Sequence, residues 1–528
     1  ATTATGGDAR ERQRGEGAPN DADEVNPCRQ VRALHKPLLP SRLACSIFTA
    51  RWASTTRWRR WPTPARSACD LTLGRMVAGE GPGYGRRMSA LQWQLRVPAL
   101  ALLAGAALVA LWACEPEKAK APGNKNVIPA ESDTMVRSQG PQVVDYAGKP
   151  LQLRCANIDG WLLPIPYLIS DEGNALLISP SEFVARLDEV VGPDRAAKFW
   201  DDWRDTFIVE RDFERMAQLG FNCARLPIYY RAIGRLEAGK PVLDETRLAR
   251  IDQALDWGAK HGVYVVLDLH SAPGGQNGLA TVADVPSTDL VARLWEGPGA
   301  KANQDATVAI WRSLAERYRD KVAVAGYDLL NEPALPSSAA ADALPSLYSR
   351  IITAIREVDS KHMVILEGDE LAHDFSEFES PMDDNMAYEF HAYALTGFED
   401  WATPETQDLQ PYLTLRTQHD RPIWLGEFGE GTKDWVSGVV KLMEDHQVGW
   451  AVYPWKRKQT FFWNPVLQMI PPTPKWYAVA AYLAQPADGK VAVPSSAEAE
   501  AGMAEILGAM KLANCTEDGG LANAIIKP

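Results

Sequence analysis

The stretch RLARIDQALDWGAKHGVYVVLDLH, residues 247–270, decides the fold. Its first sixteen residues have a helical period and close on Gly262, a common helix C-cap. The next eight form a near-continuous apolar, β-branched run ending in Asp268 and His270. A helix feeding directly into a strand of this kind is part of a parallel βα repeat, because such strands are covered by helices on the sheet faces.

The same texture extends in both directions. LQLRCANI, NCARLPI, VYVVLDLH, AGYDLLNE, MVILEG, MAYEFHAY, PIWLGEF and GWAVYPW are eight strand candidates within residues 143–485. Helical segments such as ERDFERMAQLG, ATVAIWRSLAERYRD and LYSRIITAIREVD lie between most of them. This predicts an α/β fold, a (β/α)8 TIM barrel with insertions, rather than an open doubly wound sheet. No GxGxxG follows the first strand, so a dinucleotide fold has no support. Residues 486–528 open with a Pro-containing loop and continue as AEAEAGMAEILGAMKLANC, a short C-terminal helical tail expected to pack on the barrel.

Upstream, residues 1–87 are Arg-rich with a single Lys and hold no lasting apolar period, so no domain is expected there. Met88 opens a short n-region followed by VPALALLAGAALVALWA, the pattern of a secretory signal over 88–114. Met88 is therefore the expected start, with 1–87 a disordered leader or an over-extended reading frame. The run ends in Leu111-Trp112-Ala113-Cys114, which resembles a bacterial lipobox and implies lipidation at Cys114. The alternative is a transmembrane helix, for which the run is marginally short. Residues 115–142 read as a polar linker. Together these features predict an exported lipoprotein, periplasmic or in the cell envelope, or a secreted protein.

The net charge of -13 argues against non-specific nucleic-acid binding, which needs a basic footprint. Seven cysteines in 528 residues are too few for a disulfide scaffold. Cys155 and Cys223 are expected on barrel strands as small buried residues. A disulfide among Cys155, Cys223 and Cys515 stays open, and no CxxC suggests zinc. No metal or cofactor is implied, and a monomer is expected.

In a barrel of this kind chemistry sits where the strands end. Strand two ends in Arg225, strand three in Asp268 and His270, and strand four in Asn331-Glu332-Pro333. Strand six ends in His391 and Tyr393, strand seven in Glu427, and strand eight carries Tyr453, Trp455 and Lys456. Strands four and seven lie on opposite sides of an eight-stranded barrel, so Glu332 and Glu427 face each other across its mouth. Two carboxyls about 5–5.5 Å apart suit glycoside cleavage with retention, one attacking the anomeric carbon and one protonating the leaving oxygen. Arg225 and Tyr393 are placed to keep the attacking carboxylate ionised. The charge of that partner favours a proton on the acid. Asn331 is placed to bond the sugar 2-hydroxyl.

LLNEP, LGEFG, DLH, RLP and FHAY resemble the strand-end motifs of glycoside hydrolase family 5, the cellulase family of clan A, and the resemblance covers residues 143–483. It implies that Glu332 is the acid/base and Glu427 the nucleophile. It also implies that Arg225, His270, Asn331, His391 and Tyr393 line the subsite of the cleaved sugar. The family's usual Trp at the end of strand eight is here part of Tyr453-Pro454-Trp455, and sequence leaves open which ring forms the subsite floor.

Gln276 and Asn277, in the loop SAPGGQNG, and Trp161 are further candidate sugar contacts, as is Trp463 after strand eight. Trp311 and Trp476 read as packing residues, and Asp268, Asp328 and Glu430 as supporting carboxylates. The leading reading is a retaining β-glycoside hydrolase acting on a β-linked glucan or related oligo- or polysaccharide. The exo side of the family is favoured by the long insertion between strands one and two. Alternatives are a transglycosylase, a mannan- or xyloglucan-type activity, and a catalytically weak sugar-binding lipoprotein. A metal-dependent hydrolase is disfavoured, since His270 has no second His two residues away.

Overall fold

The computed structural model describes residues 127–170, 173–394, 405–458, 466–486 and 489–526. The leader, the signal segment with Cys114, much of the linker, and Trp463 lie outside these residues.

Eight parallel strands close into one barrel. They are β1 Arg154–Asn157, β2 Cys223–Tyr229, β3 Tyr264–Ser271, β4 Val324–Asp328, β5 Val364–Glu367, β6 Met386–Tyr393, β7 Ile423–Gly429 and β8 Gly449–Tyr453. Neighbours in space are neighbours in sequence, and β8 closes on β1. Each strand overlaps a run expected from sequence, and four of them, β2, β3, β4 and β7, extend one residue beyond it. Every residue from β2 through β7 is buried, as strands covered by helices must be. Bulges interrupt the register at Phe390/His391, at Leu425/Phe428 and at Pro227/Tyr229, close to the C-terminal ends where side chains must be aimed.

The covering helices are α1 Pro180–Val191, α2 Pro193–Phe207, α3 Glu210–Gln218, α4 Glu245–His261, α5 Ala300–Tyr318, α6 Ala343–Arg356, α7 Thr406–His419, α8 Lys433–Asp445 and α9 Pro474–Leu483. The quoted βα stretch shows why they form. Asp244 caps α4 by accepting from the backbone N–H groups of Thr246 and Arg247 at 3.0 and 3.2 Å. Leu248, Ile251 and Leu255 bury its inner face, and Gly262 ends it at φ 72°, a left-handed conformation that glycine adopts at little cost. Among the described residues no helix is long and apolar enough to cross a membrane.

Three packing features frame the site. A hairpin, Arg137–Gln139 with Gln142–Val144, meets the residue before β6 through Ser138 N–H donating to Asn385 at 2.9 Å. The tail helix α10, Ser496–Ala509, packs on α9, α1 and α2. α1 and α2 belong to the long insertion between β1 and β2, so the tail supports that insertion. Trp311 and Trp476 are buried and donate to the carbonyls of Leu329 and Ile169 at 2.8 and 2.6 Å, which fits packing roles.

The cysteine expectation needs correction. Cys155 and Cys223 are not merely small buried residues: they form a disulfide between β1 and β2. The parallel register sets them opposite each other, a pairing that spacing in sequence does not reveal. Cys515 is free and partly buried.

Candidate active site

The barrel gathers its polar residues in layers. Register pairs Asn157 with Arg225, Asp268 with Asp328, Glu389 with Glu367, and His391 with Glu427. Within β6, Glu389, His391 and Tyr393 alternate, so they share the inward face.

Glu427 at the end of β7 is 3% exposed. Its Oε1 accepts from Arg225 Nη1 at 2.6 Å, and its Oε2 accepts from the Tyr393 hydroxyl. A cation and a hydroxyl donor thus hold one oxygen each of this carboxylate.

Glu332 follows β4 and is fixed from three sides. Its N–H donates to Glu367 Oε2 at 2.6 Å, its carbonyl accepts from Asn277 Nδ2 at 2.8 Å, and its Oε1 lies 2.9 Å from His391 Nδ1. Its φ is 48°, in the left-handed region that a residue with a side chain occupies only at a cost. The carboxyl pKa is pushed up to about 6 by burial, while His270 and Arg225 pull it down. The expectation that the partner carboxylate holds this proton is therefore replaced by desolvation as the cause. Glu332, Glu427 and His391 each offer an atom within 4.8 Å of the others.

Arg225 is the hub. It is fully buried and donates to Asp328 Oδ2 at 2.7 Å, to Asn331 Oδ1 at 3.0 Å and to Asn157 Oδ1 at 3.3 Å. It also lies 3.2 Å from Asp268, 3.2 Å from Glu367 and 3.1 Å from Glu389. One guanidinium cannot balance so many carboxylates out of water. Burial pushes Asp268 and Asp328 up to about 7 and raises Glu367, Glu389 and Asp159 well above the usual carboxyl range. Burial also lowers His270 to about 4 and His391 well below its usual value, so both rings are neutral near pH 7. His270 Nδ1 lies 2.8 Å from Asp268 Oδ2, and with Nδ1 as the donor of that contact the Nε2 of the neutral ring is an acceptor.

The ring at the end of β8 is Tyr453. Its hydroxyl bonds that of Tyr167, and its ring meets that of Tyr393 in a T-shaped contact at 5.9 Å and 81°. Trp455 corrects one expectation. It is buried outside the barrel mouth, where its Nε1 donates to Asp212 at 2.9 Å and its ring packs edge-on to Phe221. Lys456 is beside it on the same Asp212, at 2.9 Å.

Three further candidates also sit elsewhere. Trp161 is buried, donates to the Arg204 carbonyl at 2.6 Å and stacks on Trp257, so it is not a sugar platform. Gln276 donates to the His270 carbonyl at 2.8 Å and accepts from Ala272 N–H, holding its own loop. Asn277 spends its amide on Glu332 and its oxygen on Leu279 N–H, so it supports the acid rather than facing a ligand. Glu430 lies 3.6 Å from Arg457. Asp159, Tyr167, Glu367 and Glu389 are in or against the site without having been singled out from sequence. An acid inside a wholly apolar run was the available signal for Glu367 and Glu389, since such residues are seldom buried without a partner.

The family model for Cellulase (glycosyl hydrolase family 5) matches residues 190–459. A β-xylosidase of Phanerodontia chrysosporium is 33% identical over 306 residues, 56% of this chain and 61% of that protein. A probable glucan 1,3-β-glucosidase A of Aspergillus fumigatus is 32% identical over 251 residues, 46% of this chain and 55% of that protein. The chain thus spans between half and two thirds of the length of these curated relatives. The endoglucanase Cel5A of Thermotoga maritima is 21% identical in sequence, with a TM-score of 0.39 over 48% of this chain and 84% of that one. The match of the family model covers over half of the sequence, including strands β2 to β8 with the carboxylates of β4 and β7, and the chain belongs to glycosyl hydrolase family 5.

Proposed function

We propose that the chain hydrolyses β-glycosidic bonds with retention of configuration, with Glu427 as nucleophile and Glu332 as acid/base. The observation that carries this reading is the carboxylate pair, whose oxygens come within 4.8 Å of each other. A pair whose nearest oxygens approach this closely suits double displacement, where the two carboxyl groups lie about 5–5.5 Å apart, rather than inversion, where roughly 6.5–9.5 Å admits a water. Glu427 attacks the anomeric carbon while Glu332 gives its proton to the departing oxygen. Glu332 then takes a proton from water, which attacks the same carbon and releases the sugar and the free Glu427 carboxylate. Arg225 and Tyr393 hold the Glu427 oxygens. Asn331, with its Oδ1 on Arg225, has an unpartnered buried Nδ2 to offer a sugar hydroxyl.

The substrate side reads as a pocket that takes the end of a β-glucoside or β-xyloside. The insertion after β1 supports this. Tyr167 reaches Tyr453, Ser181 N–H donates to Asp284 at 2.7 Å, and Ser287 Oγ donates to Glu182 at 2.8 Å. The first ties the insertion to the end of β8 and the other two tie it to the loop after β3, which walls one side of the mouth. The two relatives, a β-xylosidase and a probable glucan 1,3-β-glucosidase, favour the same class of substrate. Export fits the Cys155–Cys223 disulfide, since such bonds persist in oxidising compartments. Lipidation at Cys114 belongs to the same proposal. Incubation with p-nitrophenyl β-glucoside, β-xyloside and a β-1,3-glucan, with product lengths recorded, tests this reading. Monosaccharide release is expected, and mixed oligomers would overturn the pocket.

A further inference from the structure

Asp159 lies two residues beyond β1, on the side of the barrel away from Glu332. It is 1% exposed, and neither carboxyl oxygen has a hydrogen-bond partner. His270 Nε2 lies 3.9 Å from its Oδ1. Since His270 Nδ1 faces Asp268, Nε2 is itself an acceptor, so the two groups present acceptors to a common space. Asp159, His270 and Glu427 each offer an atom within 4.8 Å of the others, which puts that space beside the nucleophile. A metal ion is disfavoured there by the Arg225 guanidinium, 2.6 Å from the same Glu427. A buried carboxyl that serves no contact of the fold costs stability, and such a cost is retained where a ligand repays it.

We propose that Asp159 is a specificity-determining residue that accepts hydrogen bonds from the C3 and C4 hydroxyls of the sugar whose bond is cleaved. The inference rests on the hydrolase reading above. The leaving oxygen must lie by Glu332 on β4, so the ring carbons remote from it point toward β8 and β1. Asn331 Nδ2 is the donor left for the 2-hydroxyl. The next hydroxyls along the ring then meet the paired acceptors of His270 and Asp159. Glucosides and xylosides share these hydroxyls, so Asp159 favours both and disfavours a β-galactoside, whose C4 hydroxyl points the other way.

The test compares the full chain with Asp159→Asn and Asp159→Ala on p-nitrophenyl β-glucoside and on its 3-deoxy and 4-deoxy analogues. Wild type should lose roughly 10- to 100-fold in kcat/KM on at least one deoxy analogue, the scale of a buried polar group left without its partner. Asp159→Ala should lose a similar factor on the parent glucoside and little more on that analogue. Its thermal midpoint should equal or exceed that of wild type, because an unpaired buried carboxyl has been removed. Equal losses on parent and deoxy substrates, no loss on the parent, or a lowered midpoint in both variants would overturn the proposal. Cleavage of the glucoside and xyloside by none of the proteins, wild type included, would instead overturn the hydrolase reading on which it rests.

Discussion

Replacing Glu367 with Ala should weaken acid catalysis more than nucleophilic attack. Glu367 Oε2 accepts the Glu332 N–H at 2.6 Å, and Glu332 sits at φ 48°. A buried N–H left without a partner costs about 1–3 kcal/mol. A residue held in the left-handed region adds about 1–3 kcal/mol, which it sheds by relaxing once the clamp is gone. If about 1.4–2.8 kcal/mol of this is lost from the transition state, the rate falls about 10- to 100-fold, at about 1.4 kcal/mol per factor of ten. The loss should depend on the leaving group. A phenyl β-glycoside needs the proton of Glu332 as its bond breaks, whereas a 2,4-dinitrophenolate leaves almost unaided. The assay is therefore kcat/KM on this pair of substrates, in wild type and variant. The ratio between them should widen by about tenfold or more, and it is independent of how much of the variant is folded. Equal losses on the two substrates, or none, would refute the view that Glu367 acts by positioning the acid.

Other outcomes follow from the same geometry. The Glu332 pKa of about 6 sets a limit above which its proton is lost, so kcat/KM should fall as pH rises through about 6, and Glu332→Gln should abolish that limb together with most of the activity. Asp268 and Asp328, raised from 3.8 to about 7, bind more protons folded than unfolded, so their contribution is lost as pH rises toward and through about 7. His270 and His391, lowered from 6.5, act in the opposite sense only below that value, so the thermal midpoint should fall from pH 6.5 to pH 8. Gly426→Ala should destabilise by about 1–3 kcal/mol or more in chemical denaturation, because its Cβ would clash with the buried Glu389 carboxyl. Trp455→Phe should lower stability by about 1–3 kcal/mol and leave KM unchanged, whereas Tyr453→Ala should raise KM.

The fold was legible because the strands alternate so regularly with helices. The βα stretch at 247–270 repeats its texture through β8, and burial from both faces keeps the strand runs largely apolar. The carboxylate pair was legible for a related reason: Glu332 and Glu427 end apolar runs, where a polar residue is conspicuous. What sequence hides is direction. Trp455 lies two residues from Tyr453, yet its ring points to Asp212 outside the mouth. Gln276 and Asn277 have the chemistry of sugar ligands, but their amides are spent on His270 and Glu332. The Cys155–Cys223 bond depends on register between strands 68 residues apart. Glu389 could have been found, since it alternates with His391 and Tyr393 along β6. Asp159 could not, because a single acid in NIDGW looks like a turn residue.

The buried acids also explain why the neutral state of this site matters. With one guanidinium for Asp159, Asp268, Asp328, Glu367, Glu389 and Glu427, several carboxyls must carry protons, and Arg225 is shared among most of them. Such a network is stable only while its members stay paired or protonated. Removal of Arg225 would therefore harm the whole layer, not Glu427 alone, which makes it a poor probe of the nucleophile.

The identity of the nucleophile is best tested by trapping it. A 2,4-dinitrophenyl 2-deoxy-2-fluoro-β-glycoside of the sugar that the protein cleaves forms its glycosyl-enzyme and then turns over slowly. Mass spectrometry of the digested protein should locate one added glycosyl group on the peptide that contains Glu427, with activity lost in step with labelling. A label on any other carboxylate, or an inverted first-formed product with no label at all, would contradict the account.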